Sequence, residues 1–136
     1  MSTHPSASWC TCGRRRSPRR GSLPPQRDDC FFCKLACEGD FVNETDGFVA
    51  LNDIHPLAPV HILVLPVGHV DTFRDVNAFS EAESKRMLEF VADTAAKAGL
   101  TDYKVMVNVG PGGGQTVFHL HWHILGGRSL EHAEAA

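Results

Sequence analysis

Three histidines occupy alternate positions near the end of the chain, at His119, His121 and His123. In an extended strand successive side chains point to opposite faces, so these three imidazoles form one row. The residues of the opposite row are all apolar: Phe118, Leu120, Trp122 and Ile124. Such a strand can pack one face on a core and present on the other side chains that change charge near neutral pH. Core packing alone does not explain the row, because buried neutral imidazoles still need hydrogen-bond partners.

Basic and acidic residues are unevenly divided along the chain. Six of the 13 Lys and Arg lie in residues 1–27, which hold no Asp or Glu, so residues 28–136 carry seven basic against 16 acidic side chains. Residues 1–27 are rich in Arg, Ser, Pro and Gly without helical or strand periodicity, and we predict a disordered basic tail. Three interpretations of this tail remain open: a mitochondrial transit peptide, a tether to nucleic acid or another anionic surface, or an extension without a function.

Residues 28–136 are predicted to form a single domain. A chain of 136 residues that is 43% hydrophobic can bury a core, and its apolar stretches are too short to span a membrane. Five cysteines, an odd number, do not indicate a complete disulfide framework. A reducing compartment fits this composition best. We therefore expect a cytoplasmic protein, or a mitochondrial one if the tail acts as a transit peptide.

Hydrophobic spacing predicts two helices, over residues 28–39 and 80–98, and Ser80 with Glu83 forms a capping box for the second. Their apolar faces are expected to be Phe31, Phe32, Leu35 and Ala36 in the first helix, and Leu88, Val91, Ala95 and Ala98 in the second. Strands are predicted at residues 41–44, 47–52, 61–65, 103–109 and 118–124. Mostly sequential strands with two helices predict an α+β domain with an antiparallel sheet.

A glycine-rich segment, Pro111-Gly-Gly-Gly-Gln-Thr116, leads directly into the histidine row. Consecutive glycines allow positive φ and close approach of the backbone, and successive N–H groups in such a turn can surround an anion. A glycine turn by itself is more often a simple connection. Beside three histidines on one face, it predicts a phosphate site.

The segment from Gly114 to Ile124 resembles the signature of the histidine triad (HIT) superfamily, in which three histidines alternate with apolar residues. Gly114-Gln115-Thr116 before the triad and Leu125-Gly126-Gly127-Arg128 after it are similar to the Hint-like branch of that superfamily. Residues 51–56 and 59–66 fit the same family, and the resemblance covers about residues 28–128. It implies the HIT-like fold, with a sheet that extends across a homodimer.

The resemblance implies a nucleotide hydrolase or transferase that acts at the α-phosphate. His121 matches the family's nucleophile, which would form a covalent nucleotidyl-histidine before water releases the nucleoside monophosphate. The other catalytic residues implied by the resemblance are His119, His123, His61 and Thr116.

Nucleotide-binding residues are also implied by the resemblance. Those expected near the phosphate are Asn108, Gly114 and Gln115. Asp53 matches the acid that binds the ribose hydroxyls, and a carboxylate can accept from both. The residues expected to line the base pocket are Ile54, Phe32 and Leu51, with Phe31 and Leu35 as further candidates.

Cys30 and Cys33 have the spacing of half a zinc site, although redox-active thiols share that spacing. Several members of the superfamily bind structural zinc through two cysteines, a histidine after the central strand and the first triad histidine. The zinc ligands implied here are therefore Cys30, Cys33, His69 and His119. No organic cofactor is expected.

The resemblance favours a purine nucleoside phosphoramidase, which cleaves a P–N bond and releases AMP. Three alternatives remain: a dinucleoside polyphosphate hydrolase, a metal-dependent hydrolase, and a nucleotide-binding or scaffold protein without turnover. The chain lacks the Trp-Pro-Pro-Gly ending of typical animal Hint proteins, which leaves the leaving group open. The expected partners are a purine nucleotide and a second copy of the chain, with nucleic acid expected only through the basic tail.

Overall fold

The computed structural model describes residues 25–127, which form one antiparallel sheet with a helix against each face. The elements are α1 (Phe31–Glu38), β1 (Asn43–Thr45), β2 (Phe48–Asn52), β3 (Val60–Pro66), α2 (Glu81–Lys97), β4 (Tyr103–Met106) and β5 (Trp122–Gly126). The five strands lie in the order β1-β2-β3-β5-β4, and every neighbouring pair is antiparallel. The structure confirms the predicted α+β class with a five-stranded antiparallel sheet.

Alternation along the strands divides the core between the two faces of the sheet. One face packs against α2 through the cluster Phe48, Ala50, Ile62, Val64, Met87, Phe90, Val91, Ala95, Leu120, Trp122 and Ile124. The other face packs against α1 through Phe32, Ala36, Val49, Leu51, Leu63 and Leu65. His61 and His123 alternate with members of the α2 cluster, so their side chains lie on the α1 face.

Local sequence signals place the β1–β2 hairpin and the start of α2. Thr45 pairs with Phe48, which leaves Asp46 and Gly47 as the two-residue turn, and Gly47 has the positive φ of 93° that glycine tolerates. Ser80 caps α2 by accepting from the Glu83 N–H, and the Glu83 carboxylate accepts from the Ser80 N–H. The predicted capping box is therefore confirmed.

Several predicted faces and boundaries are wrong. Phe31 on α1 is 61% exposed and Leu88 on α2 is 56% exposed, and Ala98 is exposed as well. α2 presents Met87, Phe90, Val91, Thr94 and Ala95 to the sheet, a phase that points Leu88 away from it. Phe118 is 39% exposed, so it does not share the buried row of Leu120, Trp122 and Ile124.

Strands β4 and β5 are shorter than predicted. β4 ends at Met106, and β5 begins only at Trp122, because the Leu120 N–H is taken by the Val70 carbonyl (2.6 Å) instead of by β3. Two 3₁₀ turns, at Phe73–Ala78 and Pro111–Gly113, were not predicted.

The predicted tail lies almost entirely outside the described residues, as do Arg128 and the chain after it. Gln26, at the first part of the chain that the structure describes, donates to the carbonyls of Cys33 (2.8 Å) and Val67 (2.9 Å). Over residues 25–127, neither helix combines the length and apolarity that crossing a bilayer requires.

Candidate active site and metal site

The three histidines of the row are buried, and each has its imidazole held by a different neighbour. His123 lies on β5, and His119 and His121 lie in the segment that leads into it. Leu120, Trp122 and Ile124 pack into the core on the opposite side and fix the direction of the row. The row is thus a rigid support on the α1 face of the sheet.

His121 is held in the tautomer that a nucleophile requires. Its Nδ1 lies 2.7 Å from the carbonyl oxygen of His119, and a carbonyl can only accept, so Nδ1 carries the proton. Burial lowers the pKa of His121, so the ring is neutral at pH 7. The Nε2 lone pair of His121 is therefore free of its proton and available to a substrate.

His123 is held in the opposite tautomer through a chain of hydrogen bonds. The backbone N–H of Leu57 donates to His61 Nδ1 (3.0 Å), so neutral His61 carries its proton on Nε2. That Nε2 lies 2.9 Å from His123 Nδ1 and donates to it. His123 must then carry its own proton on Nε2, a buried atom without a hydrogen-bond partner among the described residues. A buried, unpaired donor at this place is a binding group for an acceptor atom.

Burial keeps both members of this pair neutral. It lowers the pKa of His123 to about 4, with smaller contributions from His121 and His61. Burial also lowers the pKa of His61, an effect that the Asp53 carboxylate, 3.4 Å from His61 Nε2, partly offsets.

The opposite tautomers can be observed directly. At pH 7, ¹⁵N-detected spectra of histidine side chains should show the proton of His121 on Nδ1 and that of His123 on Nε2. Because burial lowers the pKa of His123 to about 4, its neutral pattern should persist as the pH falls well below 6. Exposed His55 is the matched internal control, since a solvent-facing ring has no such lock. The same tautomer at both positions would contradict the assignment.

The glycine-rich loop is held by the side chain of Gln115. Its Oε1 accepts from the Gly110 N–H (2.8 Å), and its Nε2 donates to the carbonyls of Asp71 (2.9 Å) and Val117 (3.0 Å). The amide of Gln115 is thereby engaged within the protein, so this residue shapes the loop in preference to contacting phosphate through its side chain. Gly114 has a φ of 92°, beside the Asn108 side chain, and Thr116 is exposed.

Of the residues predicted to bind the nucleoside, Asp53 and Phe32 lie beside the His123 and His121 end of the row. Asp53 accepts the His55 N–H through Oδ1 (2.8 Å), and its Oδ2 faces His61. Phe32 is buried with its ring edge-on to His121, at a centroid distance of 4.9 Å. Leu51 is buried in the same cluster as Phe32, and Ile54 is 81% exposed. The structure brings Asp53 and Phe32 to the triad.

The predicted zinc ligands Cys30, Cys33, His69 and His119 converge, with their ligand atoms within 4.8 Å of one another. His119 Nδ1 lies 3.4 Å from Cys30 Sγ and 3.5 Å from Cys33 Sγ, and His69 Nδ1 lies 3.5 Å from Cys33 Sγ. A tetrahedral zinc ion with ordinary bond lengths separates sulfur and nitrogen ligands by about 3.5 Å. The donor set and its spacing therefore fit zinc.

The tautomers of both histidines in this cluster also suit a metal. His119 donates Nε2–H to the Pro66 carbonyl (2.8 Å), and His69 donates Nε2–H to Asp71 Oδ1 (2.5 Å). Each Nδ1 is then a lone pair directed at the cysteines, and Asp71 acts as the outer partner that orients a metal-binding histidine. Burial raises the pKa of Cys33 to about 12, so an ion must displace that proton in order to bind.

A second cluster, formed by Asp53, His61 and His123, has similarly close ligand atoms. It does not suit a metal, because the Leu57 N–H occupies His61 Nδ1 and leaves the proton on Nε2, the atom that faces the cluster. Metal-dependent hydrolysis through this cluster is thus disfavoured. Leu57, Pro66 and Asp71 were not predicted as contributors to either cluster; only Asp71, two residues after His69, left a signal in the sequence.

Comparison with known proteins agrees with this geometry. The family described as the HIT domain matches residues 35–130, and the chain belongs to this family of histidine triad proteins. A HIT-like protein of Synechococcus elongatus is 47% identical over 107 residues, which are 76% of this chain and 94% of the relative. The purine nucleoside phosphoramidase of Escherichia coli K12 is 40% identical over 93 residues, 67% of this chain and 78% of that enzyme.

Solved structures have the same fold. A histidine triad protein from Clostridium difficile superposes with a TM-score of 0.69 and 38% identity, covering 77% of this chain and 96% of that one. A HIT family hydrolase from Legionella pneumophila gives a TM-score of 0.65 and 34% identity, covering 75% and 96%. Together with the family match, these relatives support a hydrolase of the histidine triad family.

Proposed function

We propose that the protein is a nucleotide hydrolase that acts at the α-phosphate through a covalent intermediate on His121, and that its substrates are purine nucleoside phosphoramidates. The observation that carries this proposal is the pair of opposite tautomers: an unprotonated Nε2 on His121 beside a buried, unpaired Nε2–H on His123. The lone pair of His121 Nε2 can attack phosphorus, and the Nε2–H of His123 can donate a hydrogen bond to a phosphoryl oxygen.

In the first step His121 Nε2 forms a bond to phosphorus, while the bond to the leaving group breaks and its electron pair departs with that group. The ring becomes positively charged and keeps its Nδ1–H on the His119 carbonyl, which stabilises that charge. His123 Nε2–H donates to a non-bridging oxygen, where negative charge accumulates. In the second step water forms a bond to phosphorus while the bond between His121 Nε2 and phosphorus breaks, which restores neutral His121 and releases the nucleoside monophosphate and a proton. That proton balances the one that the departing amine takes up.

The nucleoside half of the substrate is assigned to the Asp53 end of the row. Asp53 is partly exposed, and its carboxylate can accept both ribose hydroxyls. Phe32, against His121, and exposed Ile54 offer apolar surface for a purine ring. The purine nucleoside phosphoramidase of E. coli, 40% identical to this chain, supports this assignment.

Turnover of matched substrates tests the proposal. Adenosine 5'-monophosphoramidate should release AMP with a kcat/KM at least about tenfold above that for a dinucleoside polyphosphate, the difference that one favourable leaving-group contact supplies. Chromatography of the products measures both reactions. The reverse order would favour the polyphosphate hydrolase, and tight AMP binding without turnover of either substrate would favour a nucleotide-binding protein.

We also propose a homodimer in which the sheet continues across β4. This strand is at the edge of the sheet, and its Tyr103 and Val105 are 38% and 40% exposed. Unpaired strand edges with apolar side chains favour pairing with a second strand. Sedimentation should find a dimer, and Val105→Lys should shift it to monomer; a monomeric wild type would contradict the proposal.

A further inference from the structure

Residues 25–27, which we call the strap, lie against the cluster of candidate metal ligands. The Pro25 carbonyl accepts the backbone N–H of His69 (3.1 Å). The backbone N–H of Arg27 donates to Cys33 Sγ (3.3 Å). Two of the four candidate ligand residues are therefore hydrogen-bonded to a segment that precedes α1 in the chain.

The side chain of Gln26 joins the same two elements that the ion would join. Its Nε2 donates to the carbonyl of Cys33 on α1 (2.8 Å) and to the carbonyl of Val67 after β3 (2.9 Å). Val67 lies two residues before His69, the ligand on that side of the cluster. One amide group can donate to both carbonyls only while α1 and the segment after β3 keep this spacing. The strap and a bound ion therefore favour the same arrangement of the two elements.

The hydrogen bond from Arg27 to a ligating sulfur also favours the metal-bound form. Cysteine binds zinc as a thiolate, and a hydrogen bond to a charged acceptor is about twice as strong as one to a neutral acceptor. The N–H of Arg27 therefore stabilises Cys33 more when its sulfur carries the metal. The carbonyl of Arg27 accepts the Cys30 N–H (3.3 Å), which holds the strap at the start of α1.

We propose that the strap is an outer layer of the metal site: it raises the affinity for zinc, and zinc in turn holds the strap on the domain. The inference rests on the metal site and is independent of the proposed nucleotide chemistry. Couplings between two binding events are reciprocal, so zinc strengthens docking of the strap by the same factor as the docked strap strengthens zinc binding. Five arginines lie at positions 14–20, so zinc controls whether the chain is held where this basic segment joins the domain.

A matched pair of variants at position 27 tests the first half of this coupling. Arg27→Pro and Arg27→Ala both lose the guanidinium group that binds Asp29, but only proline also removes the backbone N–H that Cys33 Sγ accepts. Zinc affinity of the full chain, measured by competition with a chelating dye, should be about tenfold weaker for Arg27→Pro than for Arg27→Ala. That factor is at the low end of the losses found when outer partners of metal ligands are removed.

Gln26→Ala tests the same coupling without a change to the backbone. It should weaken zinc binding several-fold, because the amide that joins α1 to the segment after β3 is lost. Asn77→Ala is the matched control, since Asn77 is an exposed amide on the 3₁₀ turn Phe73–Ala78, and its zinc affinity should equal that of wild type. Wild-type affinity in both Arg27→Pro and Gln26→Ala would overturn the proposal.

Hydrogen exchange of the full chain, followed by mass spectrometry, tests the reverse effect. Chelation of zinc should speed exchange in residues 26–30, which include the bonded N–H groups of Arg27 and Cys30, and leave residues 87–94 of α2 protected. Zinc-loaded Gln26→Ala should also exchange faster in residues 26–30 than zinc-loaded wild type. No change in the strap, or an equal rise in α2, would contradict the coupling. A wild-type protein that binds no zinc would overturn the strap together with the metal site and leave the proposed nucleotide hydrolase intact.

Discussion

Replacing His121 with alanine should abolish turnover of adenosine 5'-monophosphoramidate while the protein still binds AMP. Within the three-histidine row, His121 is the residue whose Nε2 lone pair can reach a substrate. His123 Nε2 carries a proton, and the lone pair of His119 is directed at the cysteines of the proposed metal site. The variant removes the His121 lone pair. Removal of a covalent nucleophile costs on the order of 10⁴-fold or more in kcat in enzymes of this general kind. Rates of AMP release, measured with wild type and variant at equal concentration, give the comparison.

His55→Ala is the matched control, because His55 is an exposed histidine whose ring is not placed in the site, and its rate should stay near that of wild type. A second variant, His121→Gly, separates the chemical role from a structural one. Added imidazole should restore part of its activity, since a free imidazole can occupy the vacated space and attack phosphorus. Wild-type rates in His121→Ala would reject the nucleophile, and with it the covalent mechanism.

The sequence predicted the row of histidines because strand alternation is a local rule. Only the positions of His119, His121 and His123 are needed for it, and the structure places all three on one side of the segment. The same holds for Ser80 and Glu83, whose capping box involves residues three apart. The fold class also followed from local patterns, since the order of the strands is nearly sequential.

The tautomer of each histidine could not be predicted, because it depends on groups brought together from distant parts of the chain. His123 owes its tautomer to His61, 62 residues earlier, and His61 owes its own to the backbone N–H of Leu57. Every residue except proline has a backbone N–H, so the identity of residue 57 does not indicate that its amide is the donor. The exposure of Phe118 could not be predicted either. The Val70 carbonyl accepts the Leu120 N–H, so β5 begins only after Leu120 and Phe118 lies outside the strand.

For Gln115 and the metal ligands, too, the hydrogen-bond partners found in the structure could not be predicted from the sequence. The resemblance predicted that Gln115 lies near the phosphate, but its amide is engaged by three backbone groups that no local pattern could identify. The spacing of Cys30 and Cys33 indicated half a zinc site, and the family resemblance supplied His69 and His119 as the other two ligands. Which histidine nitrogen faces the cysteines depends on Pro66 and Asp71, which hold the opposite nitrogens.

Removing zinc should destabilise the protein strongly, because the proposed ion joins α1 to the end of β3 and to the histidine row. Its ligands come from Cys30 and Cys33 at α1, from His69 after β3, and from His119. An ion present at 1,000 times its Kd stabilises the folded state by about 4 kcal/mol. For a domain of about 100 residues that corresponds to a fall in Tm of about 15 °C or more on chelation. Elemental analysis should find about one zinc per chain.

Cys33→Ser and His61→Ala form the decisive pair of variants for this ion. Cys33→Ser should lose the zinc and most of the chelator-dependent shift in Tm, because one of four ligands is removed. His61→Ala should keep the zinc, because its Nδ1 accepts from Leu57 and the proton on its Nε2 prevents ligation in the second cluster. Loss of zinc in His61→Ala with retention in Cys33→Ser would contradict this assignment and place the ion in the second cluster, with Asp53 and His123. A stable, active protein without zinc would remove the structural ion altogether and leave the two cysteines as reduced thiols.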